Sequence, residues 1–132
     1  MAQSLSRRDE TRLAPFVRCV DRWLGMNPVP PLDTLLAGTG FSRRHVERKC
    51  KALYGMSPKT LARKVRALRA AAAIARTADL RDDFLEYGFY DQPHMIREVK
   101  HFTGLTPGQI RARRSRPAAP SRASAGAAHA RL

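Results

Sequence analysis

Two stretches of the chain both carry arginine, glutamate and histidine side chains, and the second also carries a glutamine. The segments "SRRHVERKCKALYGMSP" (42–58) and "DQPHMIREVKHFTGLTP" (91–107) align without a gap at an offset of 49 residues, so that position 45 corresponds to position 94. Arginine can donate two hydrogen bonds to the edge of guanine, glutamate can accept one from cytosine, and glutamine can pair with adenine. The chemistry available at these positions is therefore the recognition of base-pair edges.

Each segment has the pattern of one short helix. Ser42 and Asp91 are N-cap residue types, and Gly55 and Gly104 supply the left-handed residue that ends a helix. Apolar residues recur at helical spacing, which predicts one buried side for each helix. The predicted stripes are Val46, Cys50 and Leu53 in the first segment and Met95, Val99 and Phe102 in the second. The basic and polar positions consequently face away from the core.

A short helix and a tight turn are predicted in front of each segment. Apolar residues at 32–36 indicate one short helix before Gly40, and those at 80–87 indicate another before Gly88. A short helix, a turn with glycine and a second helix with an exposed basic face form a helix-turn-helix. The second helix of this motif enters the major groove with its N-terminal end.

A long helix is predicted between the two units. Ser57 and Pro58 are typical of the N-cap and the first position of a helix, which continues to about residue 76. At ~1.5 Å per residue this helix spans about 28 Å. Its predicted buried side consists of Leu61, Val65, Leu68 and Ala72, with Arg63, Lys64, Arg66 and Arg69 elsewhere on its surface.

Periodicity elsewhere completes an all-α fold. A helix with Phe16, Val20 and Trp23 on its apolar side precedes the first unit, and Pro15 is expected in its first turn. No strand pattern competes in the sequence. The predicted organisation is a disordered arm (1–9), a first helix-turn-helix subdomain (10–57), a connector helix (58–77), a second helix-turn-helix subdomain (78–114) and a disordered basic tail (115–132) rich in Ala, Pro, Ser and Arg.

The composition indicates a small basic protein that binds polyanions. Among 132 residues, 25 Lys and Arg against 11 Asp and Glu give a formal net charge of +14. Nucleic acid is the first expected partner and an acidic membrane surface the second. No apolar run reaches the ~18–20 residues of a membrane-spanning helix, and the first residues lack a signal-peptide pattern.

No catalytic or metal chemistry is expected from the sequence. Cys19 and Cys50 have no metal-ligand spacing and are interpreted as small buried hydrophobes, and the histidines are too dispersed for a metal site. The sequence offers no nucleophile–base pair, carboxylate dyad or phosphate-binding loop. We therefore expect no cofactor and no enzymatic activity.

Most of the chain resembles the DNA-binding domain of the AraC/XylS family of bacterial transcription regulators. The stretch "GFYDQPHMIREVKHFTGLTPGQIR" is similar to the family's signature around its second recognition helix. The stretch "FSRRHVERKCKALYGMSPKTLARKVRALRAA" is similar to the first recognition helix and connector, with Arg66 where the family usually has an arginine. The resemblance covers about 13–113 and implies seven helices in two subdomains of a homeodomain-like tandem. It also implies that both recognition helices enter successive major grooves.

The family's contact pattern, carried onto this sequence, gives two groups of candidate residues. The base-reading candidates are Arg44, Glu47 and Arg48 in the first recognition helix and Gln92, His94 and Arg97 in the second. The phosphate-contacting candidates are Arg43, Lys51, Lys59 and Lys100, which position a protein on DNA without reading its sequence. For His94, a capping or phosphate-contacting role has the same weight as base reading, and any single basic residue could be a solvated surface side chain.

Some positions depart from the family's pattern. Leu36 and Phe84 stand where a small residue is usual, Asp83 replaces an aliphatic residue, and Pro93 replaces a serine. These departures predict that the second unit packs less tightly or reads DNA less well. The groove-facing residues also differ between the two copies, which predicts that they read different bases.

The resemblance implies a sequence-specific activator or repressor that binds double-stranded DNA as a monomer. We expect it in the cytoplasm with the nucleoid, without a membrane partner, and with RNA polymerase as a further candidate partner. We expect no sensor domain within the 132 residues and no effector ligand. The chain would then be either a stand-alone regulator controlled by its own abundance or a shortened regulator that has lost its input. Two alternatives remain: a non-specific architectural nucleic-acid-binding protein, and a protein-interaction module whose second unit does not contact DNA.

Overall fold

The structure is a computed structural model that describes residues 7–77 and 83–115, and the regular secondary structure of these residues is helical. The six α-helices among them are α1 Arg7–Gly25, α2 Leu32–Thr39, α3 Arg43–Tyr54, α4 Pro58–Arg76, α5 Gln92–Thr103 and α6 Pro107–Ser115. A short 3₁₀-helix, Asp83–Leu85, lies between α4 and α5. The predicted all-α class is confirmed for this part of the chain. None of its helices is long and apolar enough to cross a membrane.

The described residues contain six α-helices instead of the predicted seven. Where a helix was expected at 80–87, the described part is one 3₁₀ turn that ends at Leu85. The backbone N–H groups of Gly88 and Phe89 donate to the carbonyls of Leu85 and Phe84, both at 3.0 Å, and the chain reverses there. Within residues 83–88 this reversal leaves too few residues for a regular α-helix. The predicted apolar position at 80 and the side chain of Asp83 lie outside the described residues.

The first helix begins earlier than predicted. α1 starts at Arg7, inside the predicted arm, so Pro15 lies in the helix interior and the prediction of a first-turn proline is wrong. Pro15 is exposed. Water can therefore bond to the backbone carbonyl one turn earlier, which receives no N–H from a proline. On the side that faces the core, Phe16 and Trp23 are each 3% exposed. Their burial stabilises the helix more than the proline destabilises it.

The predicted caps of the two recognition helices and the predicted start of the connector are confirmed. Ser42, Ser57 and Asp91 each accept a hydrogen bond from the backbone N–H three residues later, at 3.2, 3.2 and 2.7 Å. Gly55 and Gly104 have φ of 76° and 78°, in the left-handed region. The two recognition helices, α3 and α5, therefore begin and end at equivalent positions.

The first core forms where α1, α2, α3 and the start of α4 meet. Its buried residues are Phe16, Val20, Trp23, Val29, Leu35, Val46, Cys50, Leu61 and Ala62. Leu53 is 37% exposed, so its prediction as a buried residue is wrong. Tyr54, four residues after Cys50, packs against the core instead.

The connector helix α4 packs against both units. Leu68, 44% exposed, and Ala72, also exposed, do not belong to its buried side, contrary to the prediction. Its buried residues towards the C-terminus are Ala67, Ala70, Ala73 and Ile74. The buried side shifts because the start of α4 faces the first core, whereas its end faces α5 and α6. The short alanine side chains allow those helices to approach closely.

The second core is built around α5. Its buried residues are Ala70, Phe89, Met95 and Val99, with Ala71, Phe84, Tyr87 and Ile110 packed against them. Phe84, the residue that departs from the family's pattern, is thus half-buried in this core. α6 continues to Ser115, five residues beyond the predicted end at Ile110.

Candidate nucleic-acid interface

α3 and α5 each turn one polar face away from the core. On α3 this face carries the exposed residues Arg43, Arg44, Glu47, Arg48 and Lys51, and on α5 it carries Gln92, Pro93, Ile96, Arg97 and Lys100. On the opposite sides, Val46, Cys50 and Val99 are fully buried. Of the ten candidate contact residues in the sequence, all except His94 are exposed. The fold therefore presents the candidates on the two recognition helices, apart from Lys59, which lies in the first turn of α4.

A groove beside α3 brings three of these candidates together. It has a volume of about 460 Å³, and Arg43, Glu47 and Lys59 line it. Arg43 Nη2 lies 3.3 Å from Asp33 Oδ1, with both side chains exposed. Exposed ion pairs of this kind contribute little stability, so Arg43 can exchange its partner for a phosphate. Two candidate phosphate contacts thus flank one candidate base-reading residue.

His94 is more engaged with the protein than the other candidates. Its Nδ1 accepts a hydrogen bond from the Tyr90 backbone N–H at 3.2 Å, and its ring meets Phe89 edge-on at 5.4 Å between centroids. Its Nε2 lies 3.9 Å from Glu98 Oε1. These contacts hold the half-buried ring against the second core and agree with the capping alternative.

An aromatic residue precedes the N-cap of both recognition helices and contacts a histidine ring. The rings of Phe41 and His45 are stacked, 4.4 Å apart and nearly parallel at 6°. Those of Tyr90 and His94 are 5.3 Å apart and tilted by 30°. Tyr90 is 86% exposed. Neither aromatic residue was among the sequence candidates, although position 41 corresponds to position 90 at the 49-residue offset. The repetition of this aromatic–histidine pair in the sequence could therefore have identified both aromatic residues.

Two arginines of the connector donate hydrogen bonds to backbone carbonyls of the protein. Arg66 Nη2 donates to the carbonyl of Val29 at 3.3 Å, and burial lowers the pKa of Arg66. Arg69 donates to the carbonyls of Met26, at 2.6 Å, and Leu24. These bonds hold the end of α1 and the segment that follows it against the connector. Both guanidinium groups thus stabilise the fold, and neither belongs to the exposed face of a recognition helix.

A bidentate ion pair links the connector to the second recognition helix. Arg63 Nε and Nη2 donate to Glu98 Oε1 and Oε2 at 2.8 and 2.9 Å. Glu98 is 8% exposed, and the hydrogen bonds from Arg63 lower its pKa. The Arg63 guanidinium also lies 5.4 Å from the centroid of the Phe102 ring. Sequence reasoning missed Glu98, because its repeat counterpart is Lys49 and nothing local marks the position as buried.

Comparison with known proteins agrees with this geometry. The chain matches the model of a helix-turn-helix domain family over residues 35–113. It is similar to a transcriptional regulator from Chromobacterium violaceum with an AraC-type DNA-binding domain, with a TM-score of 0.72 at 24% identity, over 83% of this chain and 99% of that chain. A probable AraC family transcriptional regulator from Rhodopseudomonas palustris has a TM-score of 0.64 at 27% identity, over 77% of this chain and 98% of that chain. No curated protein matches significantly.

Proposed function

Because the chain belongs to the AraC-type family of helix-turn-helix DNA-binding domains, we propose that it is a sequence-specific transcription regulator. In this proposal it binds two successive major-groove segments of double-stranded DNA, one with α3 and one with α5. The observation that carries the proposal is that both recognition helices pack on the same connector helix, each with its polar face exposed.

The dimensions of the connector support binding by a single chain. α4 has 19 residues, which corresponds to about 28 Å at ~1.5 Å per residue. Successive major-groove segments on one face of DNA are about 34 Å apart. The width of the two units adds to the connector length, so one chain can reach both segments. Any shortfall would require the DNA to bend, at a cost of about 1–6 kcal/mol.

The exposed side chains suggest separate roles in this complex. Base reading is assigned to Arg44, Glu47, Arg48, Gln92 and Arg97, and phosphate contact to Arg43, Lys51, Lys59 and Lys100. His94 is assigned to the positioning of α5, given its contacts with Tyr90 and Phe89. The division follows the general rule that phosphate contacts position a protein and base contacts specify the sequence.

In-vitro selection of duplexes bound by the full chain tests the proposal. Two conserved segments with centres about one helical turn apart are expected in the selected pool. One segment alone would contradict the role of α5 and favour the interaction-module alternative. No preferred sequence would overturn sequence-specific regulation.

The net charge of +14 favours a second candidate, a non-specific architectural protein. Such a protein binds any duplex, with an affinity that falls steeply as salt rises. Binding of the selected duplex and of a scrambled duplex, compared from low to physiological salt, separates the two functions. A regulator keeps its preference for the selected duplex at the higher salt concentration, whereas an architectural protein loses affinity for both duplexes equally.

A further inference from the structure

An apolar side chain lies in the middle of the exposed face of the second recognition helix. Ile96 is 37% exposed, one helical turn after Gln92 and next to Arg97. The buried residues of α5 are Met95, Glu98 and Val99, on the other side of the helix. Ile96 therefore points to the surface that is proposed to face DNA.

The surroundings of Ile96 fit a nucleic acid better than a protein. Its exposed neighbours along the same face are Pro93, one turn earlier, and the polar or basic residues Gln92, Arg97 and Lys100. Protein-docking surfaces are extended apolar patches, and two apolar residues among polar and basic ones do not form one. In the major groove, however, a base pair presents one apolar group, the C5-methyl of thymine.

The corresponding position of the first recognition helix has the opposite chemistry. At the 49-residue offset, Ile96 corresponds to Glu47. A glutamate can accept a hydrogen bond from cytosine, whereas isoleucine has no hydrogen-bonding group in its side chain. The β-branched side chain is also stiff, so little side-chain entropy is lost when it packs against a base.

We propose that Ile96 is a specificity-determining residue that packs against the C5-methyl group of a thymine in the second DNA segment. This inference rests on the proposed function. Together with Gln92, which can pair with adenine, Ile96 gives α5 contacts to A·T pairs beside the guanine contact of Arg97. On α3, by contrast, Arg44, Glu47 and Arg48 all suit G·C pairs. The two segments of the binding site are then chemically different and cannot be exchanged.

Replacement of thymine by deoxyuridine removes only the methyl group and tests the contact. Each thymine of the selected second segment is replaced singly, and the affinity of the full chain is measured by fluorescence anisotropy at fixed salt. Burial of a methyl group stabilises by about 0.8 kcal/mol, which corresponds to about a fourfold change in Kd. A weakening of this size is expected at one position in the second segment.

The variant Ile96→Ala shows whether residue 96 makes the contact. This variant should bind the thymine and deoxyuridine duplexes equally, while Ile96→Val retains part of the difference. Alanine suits an exposed helical position, and circular dichroism verifies the fold. Deoxyuridine in the first segment is the control, and its effect should not depend on residue 96.

Three results would overturn the assignment of Ile96. They are a second segment without thymine, wild-type binding that is insensitive to deoxyuridine at every position, and a full deoxyuridine penalty that persists in Ile96→Ala. Each leaves sequence-specific binding intact. A chain that selects no preferred duplex at all would instead overturn the proposed function, before any thymine is replaced.

Discussion

Arg63 of the connector helix and Glu98 of the second recognition helix form a two-pronged ion pair. The Nε–Oε1 and Nη2–Oε2 distances are 2.8 and 2.9 Å. The Glu98 side chain is 11% exposed and that of Arg63 is 36% exposed, so the contact lies at the edge of the second core. Because parallel hydrogen bonds fix direction as well as distance, the pair sets the orientation of α5 on α4.

Removal of the arginine should destabilise the second unit. In Arg63→Met the buried carboxylate of Glu98 loses its partner, which costs about 3–5 kcal/mol for a fully buried pair. Because the Arg63 side chain is partly exposed to water, we expect a smaller loss in the free energy of unfolding, about 1–3 kcal/mol. Urea unfolding measures this loss. The matched control is Lys64→Met, which removes the same charge from an exposed neighbour. The double variant Arg63→Met/Glu98→Met should recover stability, and a further loss in that variant would contradict this account.

The same pair makes the stability of the protein depend on pH. Arg63 holds the pKa of Glu98 below its usual value of 4.5, whereas in the unfolded chain the carboxyl returns to that value. The stabilisation by Glu98 is therefore present above pH 4.5 and is lost as the pH falls through its lower folded pKa. Urea unfolding of the wild type and Glu98→Gln from pH 7 to pH 3 should show a stability difference that shrinks with acidification. A constant difference over this range would contradict the assignment.

The accuracy of the sequence-based predictions depended on whether the cause was local. The caps at Ser42 and Asp91 were predictable, because the side chain bonds a backbone group only three residues away. The pair between Arg63 and Glu98 was not, because its partners are 35 residues apart and meet only when α5 packs on α4. Leu53 was misplaced for a related reason, since helical spacing allowed either Leu53 or Tyr54 to complete the stripe of α3.

Substitution of Gly88 should destabilise more than substitution of another left-handed glycine. Gly88 has φ of 89°, and a Cβ there would lie 3.1 Å from both Arg66 Cδ and Pro28 Cβ. Gly88→Ala therefore combines backbone strain of about 1–2 kcal/mol with crowding. In the control Gly104→Ala, φ is 78° but no atom lies within 4 Å of the added Cβ, so strain alone acts. Thermal unfolding measures both variants, and equal losses would exclude the effect of crowding.

The two cysteines should differ in their reactivity with thiol reagents. Cys50 is 0% exposed, and burial raises its pKa to about 11. Cys19 is half-buried, with its Sγ 3.5 Å from the carbonyl of Gly38. Since the thiolate is the reactive form, Cys50 should react at least about 100-fold more slowly than a free thiol at pH 8. Reaction with Ellman's reagent in Cys19→Ser measures Cys50 alone, with unfolded protein as the reference. Equal rates in the folded and unfolded protein would show that Cys50 is accessible.

Arg48 and Lys51 should affect DNA binding in different ways. Both are exposed on α3, three residues apart, and the proposed roles are base reading for Arg48 and phosphate contact for Lys51. Arg48→Ala should cost about 1–3 kcal/mol and relax the preference at one base pair, because a bidentate contact to guanine is lost. Lys51→Ala should weaken binding to all duplexes equally and reduce the salt slope by about 1. Affinities for the selected duplex and its single-base variants, measured at several salt concentrations, distinguish these effects. If Arg48→Ala instead weakened every duplex to the same extent, Arg48 would be a phosphate contact.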